Sequence, residues 1–275
     1  MGGTMLDATA LTPTIGSEIS MDAETLLSGE HADELRDLLV ERGVLVVRGI
    51  DFDDDQLRAF AHTMGELRLG TIYEQENAGM LKVVHILGTF FWHVDGTYTG
   101  LPPFATVLAP RALSPEGGDT EFANTYAAFE ALPPDEQAYL ETLEVVHTMK
   151  AGQDRATPDA TLEQIENYLK YRATQPLVWH HRSGRKSLVV GATASHIVGM
   201  HVAPSAELID RLQAHITQPQ FVYHHSWQMG DIVMWDNTGT MHRVLPFDPT
   251  AGRLLHRFTL EGIEPFVGVG DLAHA

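Results

Sequence analysis

Asp231-Ile232-Val233-Met234-Trp235-Asp236-Asn237, with His242 a few residues on, is the stretch that decides the fold. Four apolar residues closed in by acids are too few for a buried helix and read as a strand. Similar short runs recur outward from it at Leu81–Leu87, Phe104–Leu108, Leu143–Thr148, Ser187–Val190, Phe221–Tyr223 and Leu254–Leu260. Gly100-Leu101-Pro102-Pro103, Ser114–Asp119, Ser183-Gly184 and Phe247–Gly252 separate them as turns. Many short strands predict a mainly β protein, a sandwich or jelly roll, rather than a doubly wound parallel sheet.

Helices should flank that sheet. Leu35, Leu38 and Leu39 share a helical face that Gly43 closes, and the strand Val44-Leu45-Val46-Val47 follows. Asp53-Asp54-Asp55 precedes a second amphipathic pattern through Leu57, Phe60 and Ala61, where acids suit a helix N-terminus. Two further helices are expected at Tyr126–Leu140, broken at Pro133-Pro134, and at Ser205–His215, with a polar, roughly helical excursion from Ala151 to Gln175. There is no GxGxxG, P-loop, internal repeat or linker, so residues 1–275 read as a single domain.

Composition narrows the function. With 37 acidic against 18 basic residues, the chain lacks the cationic surface a nucleic acid needs. The absence of cysteine removes thiol nucleophiles, zinc ribbons and iron–sulfur clusters together. The N-terminal residues lack a secretory pattern and no apolar run approaches a membrane span, so a cytoplasmic, membrane-free protein is expected. What stands out is 15 histidines, the side chain most suited to metals and proton transfer.

His93-Val94-Asp95 lies in a β-like context, where positions i and i+2 share a face and can grip one ion. By itself the pair is weak, because about two such pairs arise by chance at background composition. His31-Ala32-Asp33 fits the same spacing, but at a helix start, where i and i+2 diverge. His242 on a distant strand would complete two histidines and one carboxylate with three coordination positions open, which suits Fe(II) binding a cosubstrate and O2. Catalytic zinc usually takes three protein ligands and leaves one position, so it fits less well. Arg253-Leu254-Leu255-His256-Arg257 follows, its arginines separated by roughly 13 Å on a strand, a span for two anions rather than one. A surface ion pair is the ordinary fate of an arginine; an apolar strand downstream of a metal candidate favours carboxylate binding.

Taken in order, Trp92-His93-Val94-Asp95, Gly117-Gly118-Asp119-Thr120, Ser183-Gly184-Arg185-Lys186, Gly230-Asp231 with Trp235-Asp236-Asn237, His242 and Arg253/Arg257 resemble the Fe(II)/2-oxoglutarate-dependent taurine and 2,4-dichlorophenoxyacetate dioxygenases. The resemblance runs from Val44 to Leu260. It implies a double-stranded β-helix (a jelly roll flanked by helices), with His93, Asp95 and His242 as iron ligands. It further implies Arg253, assisted by Thr120, on the distal carboxylate of the cosubstrate 2-oxoglutarate, and Arg257 on the acid group of the prime substrate. O2 is the second cosubstrate, and succinate and CO2 are products. Tyr73 and His196 are the further candidates for substrate contact. A small or medium carboxylate or sulfonate is the implied partner, an aryloxyalkanoate cleaved through a hemiacetal being the leading case, in a homo-oligomer of the kind relatives form.

After residue 180, Gly191-Ala192-Thr193-Ala194-Ser195-His196 and Phe221-Val222-Tyr223 are similar to the phenoxyacetate branch. Between Gly70 and Trp92 the chain is shorter than that branch, and Thr193 stands where a histidine is expected. The short Tyr73–Leu87 segment is similar, more distantly, to relatives that form isonitriles from N-carboxymethyl amino acids. The competing readings are therefore a biosynthetic hydroxylase, desaturase or isonitrile-forming oxidase on an amino-acid-derived acid, a sulfonate dioxygenase, or a jelly-roll binding protein without turnover. For the remaining histidines, His180-His181 and His224-His225 are expected to be structural or surface residues, and His256 a core or second-layer residue. Phe90, Phe91 and Trp92 are expected to pack in the core, while Tyr98 could line a pocket.

Overall fold

A computed structural model describes residues 6–69, 72–84 and 86–272. Its largest sheet has seven strands, in spatial order Ala8–Ala10, Ser17–Ile19, Val44–Val47, Ile232–Asp236, Ala105–Ala112, Leu254–Thr259 and Met80–Val83. All neighbours run antiparallel except Ser17–Ile19 beside Val44–Val47. The stretch that opened the sequence reading is thus a central strand, hydrogen-bonded on both sides and fully buried.

Side-chain alternation sorts this sheet into two faces. Leu45, Val47, Ile232, Met234, Val107 and Phe258 meet the helices, whereas Val44, Val46, Val233, Trp235, Leu108 and Leu255 face inward. The helix Asp54–Met64 begins at Asp53 with a capping box to Gln56 and packs Leu57, Phe60, Ala61 and Met64 on the outer face. A second sheet, Val222–His225, Thr120–Asn124 and Thr240–Val244, covers the inner face. Phe122 from its middle strand meets Trp235 at a tilt, 5.5 Å between ring centres, which ties the two sheets together, and stacks on Tyr223 of its own sheet at 6.4 Å.

A second apolar core lies under the strands Val178–His180 and Lys186–Leu188 and the sheet formed by Ala194–Ile197, Glu144–Thr148 and Arg172–Pro176. The helix Val202–Ile216 closes it with Ile209, Leu212 and Ile216.

Several expectations shift. The run Leu81–Leu87 pairs only as Met80–Val83, and a 3-10 turn follows at Leu87–Phe90, with His85 outside the described residues. The excursion from Ala151 to Gln175 is helical at Met149–Ala156 and Leu162–Tyr168, then becomes an edge strand because Arg172–Pro176 finds a partner in Glu144–Thr148. The proline break is real: Thr125–Glu130 and Pro134–Leu140 are separate helices, the second starting behind Pro133. No described helix is long and apolar enough to cross a membrane.

Candidate metal centre and anion sites

His93 and His242 are cross-strand neighbours. The His93 N–H donates to the His242 carbonyl at 3.1 Å and the His242 N–H returns the bond at 2.9 Å, so the rings lie 4.2 Å apart. Two positions along, Asp95 projects to the same side, with its Oδ1 at 3.7 Å from His93 Nε2. One ligand atom from each of the three residues lies within 4.8 Å of the others, the only such group among the described residues. Gly191 presses against this segment: a Cβ there would come within 3.0 Å of the Trp92 carbonyl and 3.2 Å of His93 Cα. The decoy pair does not assemble, because His31 turns to Glu30 and Glu34 while Asp33 pairs with Arg36 on the surface.

The donor set fits a divalent cation. His93 Nδ1 donates to the Phe91 carbonyl at 2.8 Å, which fixes the tautomer and leaves Nε2 with its lone pair. Burial holds the His242 ring well below its usual pKa, His93 adding to the effect against Asp95. That keeps the imidazole neutral, and its buried Nδ1 has no hydrogen-bond partner among the described residues. Burial would push the Asp95 carboxyl up, but the Arg257 guanidinium, with Arg68 adding to it, holds it well below the ordinary range. A neutral His242 ring, the Nε2 lone pair of His93 and an ionised carboxylate are what a 2-His-1-carboxylate iron site needs.

Arg253 and Arg257 sit in different settings. A bulge between Leu254 and Leu255 separates them, so simple alternation does not relate their directions. Arg253 is 4% exposed, lies over the Phe247 ring at 4.9 Å and donates from Nη2 to the Gly118 carbonyl at 2.8 Å. Its buried Nη1 has no partner among the described residues, and burial pulls the guanidinium pKa down to about 10 against the pull of Asp119. Gly118 has φ +79, and a Cβ on it would stand 2.7 Å from Arg253 Nε, so only glycine lets the guanidinium lie there. Thr120 is buried on the adjoining strand and accepts from Trp227 Nε1 at 3.0 Å, which leaves its own proton to donate.

Arg257, expected on the acid group of the prime substrate, already has an acidic partner within the chain: its Nη2 lies 3.0 Å from Asp95 Oδ2, and its Nε donates to Thr259 Oγ1 at 3.0 Å.

Two cavities adjoin Asp95. One of about 180 Å³ is lined by His93, Asp95, Tyr98, Met149 and Thr193 among others. The other, of about 400 Å³, is lined by Arg68, Tyr98, Tyr171, Arg257 and Thr259 among others. Tyr98 belongs to both and meets Tyr171 edge-on at 6.1 Å.

His196 is not brought to either cavity. Its Nδ1 turns to Ser195 Oγ at 3.1 Å, while Thr193, just before the strand Ala194–Ile197, lines the smaller cavity. Tyr73 lies in the short helix Ile72–Glu76, and its side chain is outside the described residues. His256 points away from the arginines onto Asp54 at 2.6 Å, and Trp92 is core, as expected. Sequence reasoning missed Arg68, and also His147, whose buried Nδ1 meets Thr193 Oγ1 at 2.8 Å and whose pKa burial lowers to about 4. The one available signal for His147 was its place on the apolar run Leu143–Thr148.

The family model for the taurine catabolism dioxygenase TauD, TfdA family matches residues 7–259. An alpha-ketoglutarate-dependent 2,4-dichlorophenoxyacetate dioxygenase of Burkholderia sp. (strain RASC) is 33% identical, over 90% of this chain and 91% of the relative. An alpha-ketoglutarate-dependent sulfate ester dioxygenase of Pseudomonas putida is 29% identical, over 96% of this chain and 92% of its own. Among solved structures, AAD-2 in complex with Mn(II) and N-oxalylglycine superposes with a TM-score of 0.85 at 32% identity, covering 96% of this chain and 100% of that one. The chain belongs to the TauD/TfdA family. It is a dioxygenase that uses Fe(II), 2-oxoglutarate and O2.

Proposed function

We propose that this enzyme oxidises a C–H bond of a small or medium anionic substrate, with an aryloxyalkanoate or a sulfate ester as the nearest chemical models. The relatives named for 2,4-dichlorophenoxyacetate and for sulfate esters share an acid group and otherwise differ, which supports the acid as the common handle. The observation that carries the reading is a charge pattern: a compact His93–Asp95–His242 cluster beside a cavity lined by arginine, with Arg253 buried and its Nη1 without a partner among the described residues. The sheet order, with the inner strands closed by a second sheet, supports a double-stranded β-helix in a single domain.

Held by His93, Asp95 and His242, iron with 2-oxoglutarate and O2 supplies the oxidising power and yields succinate and CO2. The protein's part is orientation and exclusion of water. Arg253 meets the distal carboxylate of 2-oxoglutarate through Nη1, and Thr120 donates its remaining proton to the same group. Arg257 keeps Asp95 ionised and aligned while facing the larger cavity. If the substrate is an aryloxyalkanoate, hydroxylation beside the ether oxygen gives a hemiacetal that falls apart to a phenol and an oxo acid.

The test is succinate release with Fe(II), 2-oxoglutarate and ascorbate, across carboxylates and sulfate esters and their neutral methyl esters or alcohols. Acids should couple 2-oxoglutarate turnover to their own oxidation. Equal turnover of an acid and its methyl ester would refute the anionic-substrate reading.

A further inference from the structure

The larger cavity beside Asp95 holds a second arginine that no motif points to. Arg68 follows the helix Asp54–Met64, where Leu67 bridges to Leu260 and the Arg68 N–H donates to the Thr259 carbonyl at 2.8 Å. The hydroxyl of the same Thr259 accepts from Arg257 Nε at 3.0 Å. One threonine therefore fixes the backbone of one arginine and the side chain of the other, and both line one cavity. Their charges act together on the same groups, Asp95 and Tyr98.

The two guanidinium groups are not equally committed. Arg257 has Nη2 on Asp95 and Nε on Thr259. Arg68 is half-buried, and no side-chain hydrogen bond or ion pair engages it among the described residues. A cavity of about 400 Å³ that offers one engaged and one unengaged guanidinium is built to take an anion between them. The other carboxylate in the lining, Glu74, is buried on the far helix Ile72–Glu76 and has interactions of its own.

We propose that Arg68 is a specificity-determining residue, forming with Arg257 a two-arginine clasp for the acid group of the prime substrate. This rests on the anionic-substrate reading above and assigns its main contact to Arg68, since Arg257 is already tied to Asp95. Tyr98 and Tyr171, edge to face at the cavity wall, would bracket the organic part of the substrate.

Calorimetric titration of the iron- and 2-oxoglutarate-loaded enzyme under anaerobic conditions tests the clasp. Phenoxyacetate and hexyl sulfate serve as acid probes, and phenoxyethanol and hexanol as neutral ones. Wild type should bind at least one acid more tightly than its neutral counterpart. Arg68→Gln should weaken that acid about tenfold to a hundredfold, the range for losing a hydrogen bond to a charged group. Arg68→Lys should recover part of the loss, and the neutral probes should be unmoved in both. Failure of both acids to outbind their neutral counterparts, or an acid affinity within twofold of wild type in Arg68→Gln, overturns the proposal. A wild type that shows no acid preference counts against the anionic-substrate reading itself, whereas a wild-type acid preference that Arg68→Gln keeps counts against the clasp alone.

Discussion

Two clusters of histidine with a carboxylate behave oppositely. In the group of His93, Asp95 and His242, Asp95 borders two cavities and His93 one of them, and ring nitrogens remain unspent. Ser187, His181 and Glu264 form what looks on paper like a nucleophilic triad, with His181 Nδ1 at 2.6 Å from Glu264 and Nε2 at 2.7 Å from Ser187 Oγ. Yet every valence there is used. The Ser187 hydroxyl donates to the Thr238 carbonyl at 2.9 Å, so His181 Nε2 donates to Ser187 rather than accepting its proton. The cluster is buried, with Tyr126 edge-on at 4.9 Å and Trp179 at 4.4 Å on the ring. Chemistry requires an unspent lone pair and a way in; residue types in proximity supply neither.

Breaking the first cluster should have the largest effect. His93→Ala or His242→Ala should abolish succinate formation and Fe(II) binding, read by metal titration, while far-ultraviolet circular dichroism stays at wild type. His31→Ala and Asp33→Ala should leave both intact. Full turnover by purified Asp95→Ala without added ligands would show that the metal lies elsewhere.

Breaking the second should damage stability and spare iron. Glu264→Gln removes one partner of a buried charged contact, a change that typically costs about 3–5 kcal/mol, and urea denaturation would measure it. The pH dependence has a definite sign. Burial would raise the Glu264 pKa, but the hydrogen bonds from His181 and the Arg182 N–H hold it below the usual carboxylate range. Its stabilisation is therefore complete above the unfolded-state pKa and disappears as acid takes the pH down through the folded one. Wild type should lose more stability than Glu264→Gln across that acidic window, and parallel losses would discount the clamp.

A smaller effect separates Arg253 from Arg257. Arg253→Ala should raise the apparent KM for 2-oxoglutarate about tenfold to a hundredfold, from about 1.5–3 kcal/mol of charge-assisted hydrogen bonding. Arg257→Ala should instead lose substrate-coupled oxidation while some uncoupled 2-oxoglutarate decarboxylation persists. If Arg253→Ala weakened only the prime substrate, the assignments would have to be exchanged.

Much of the centre was legible in the sequence because it rests on local rules. The i, i+2 spacing of His93 and Asp95 works on any strand, and Gly118 is needed wherever a guanidinium lies against backbone. The apolar run from Ile232 to Trp235 could only be a buried strand, and it lies near the middle of the main sheet. What the tertiary structure alone decided is which charges meet. Asp95 reaches Arg257, Glu264 reaches His181, and Arg68 is mounted on Thr259, each across a long stretch of chain. Those pairings depend on strand order and on the bulge at Leu254/Leu255, which no local periodicity encodes. Sequence fixes which groups a strand can present; the register between distant strands fixes what each group faces, and with it whether a buried charge is spent or free.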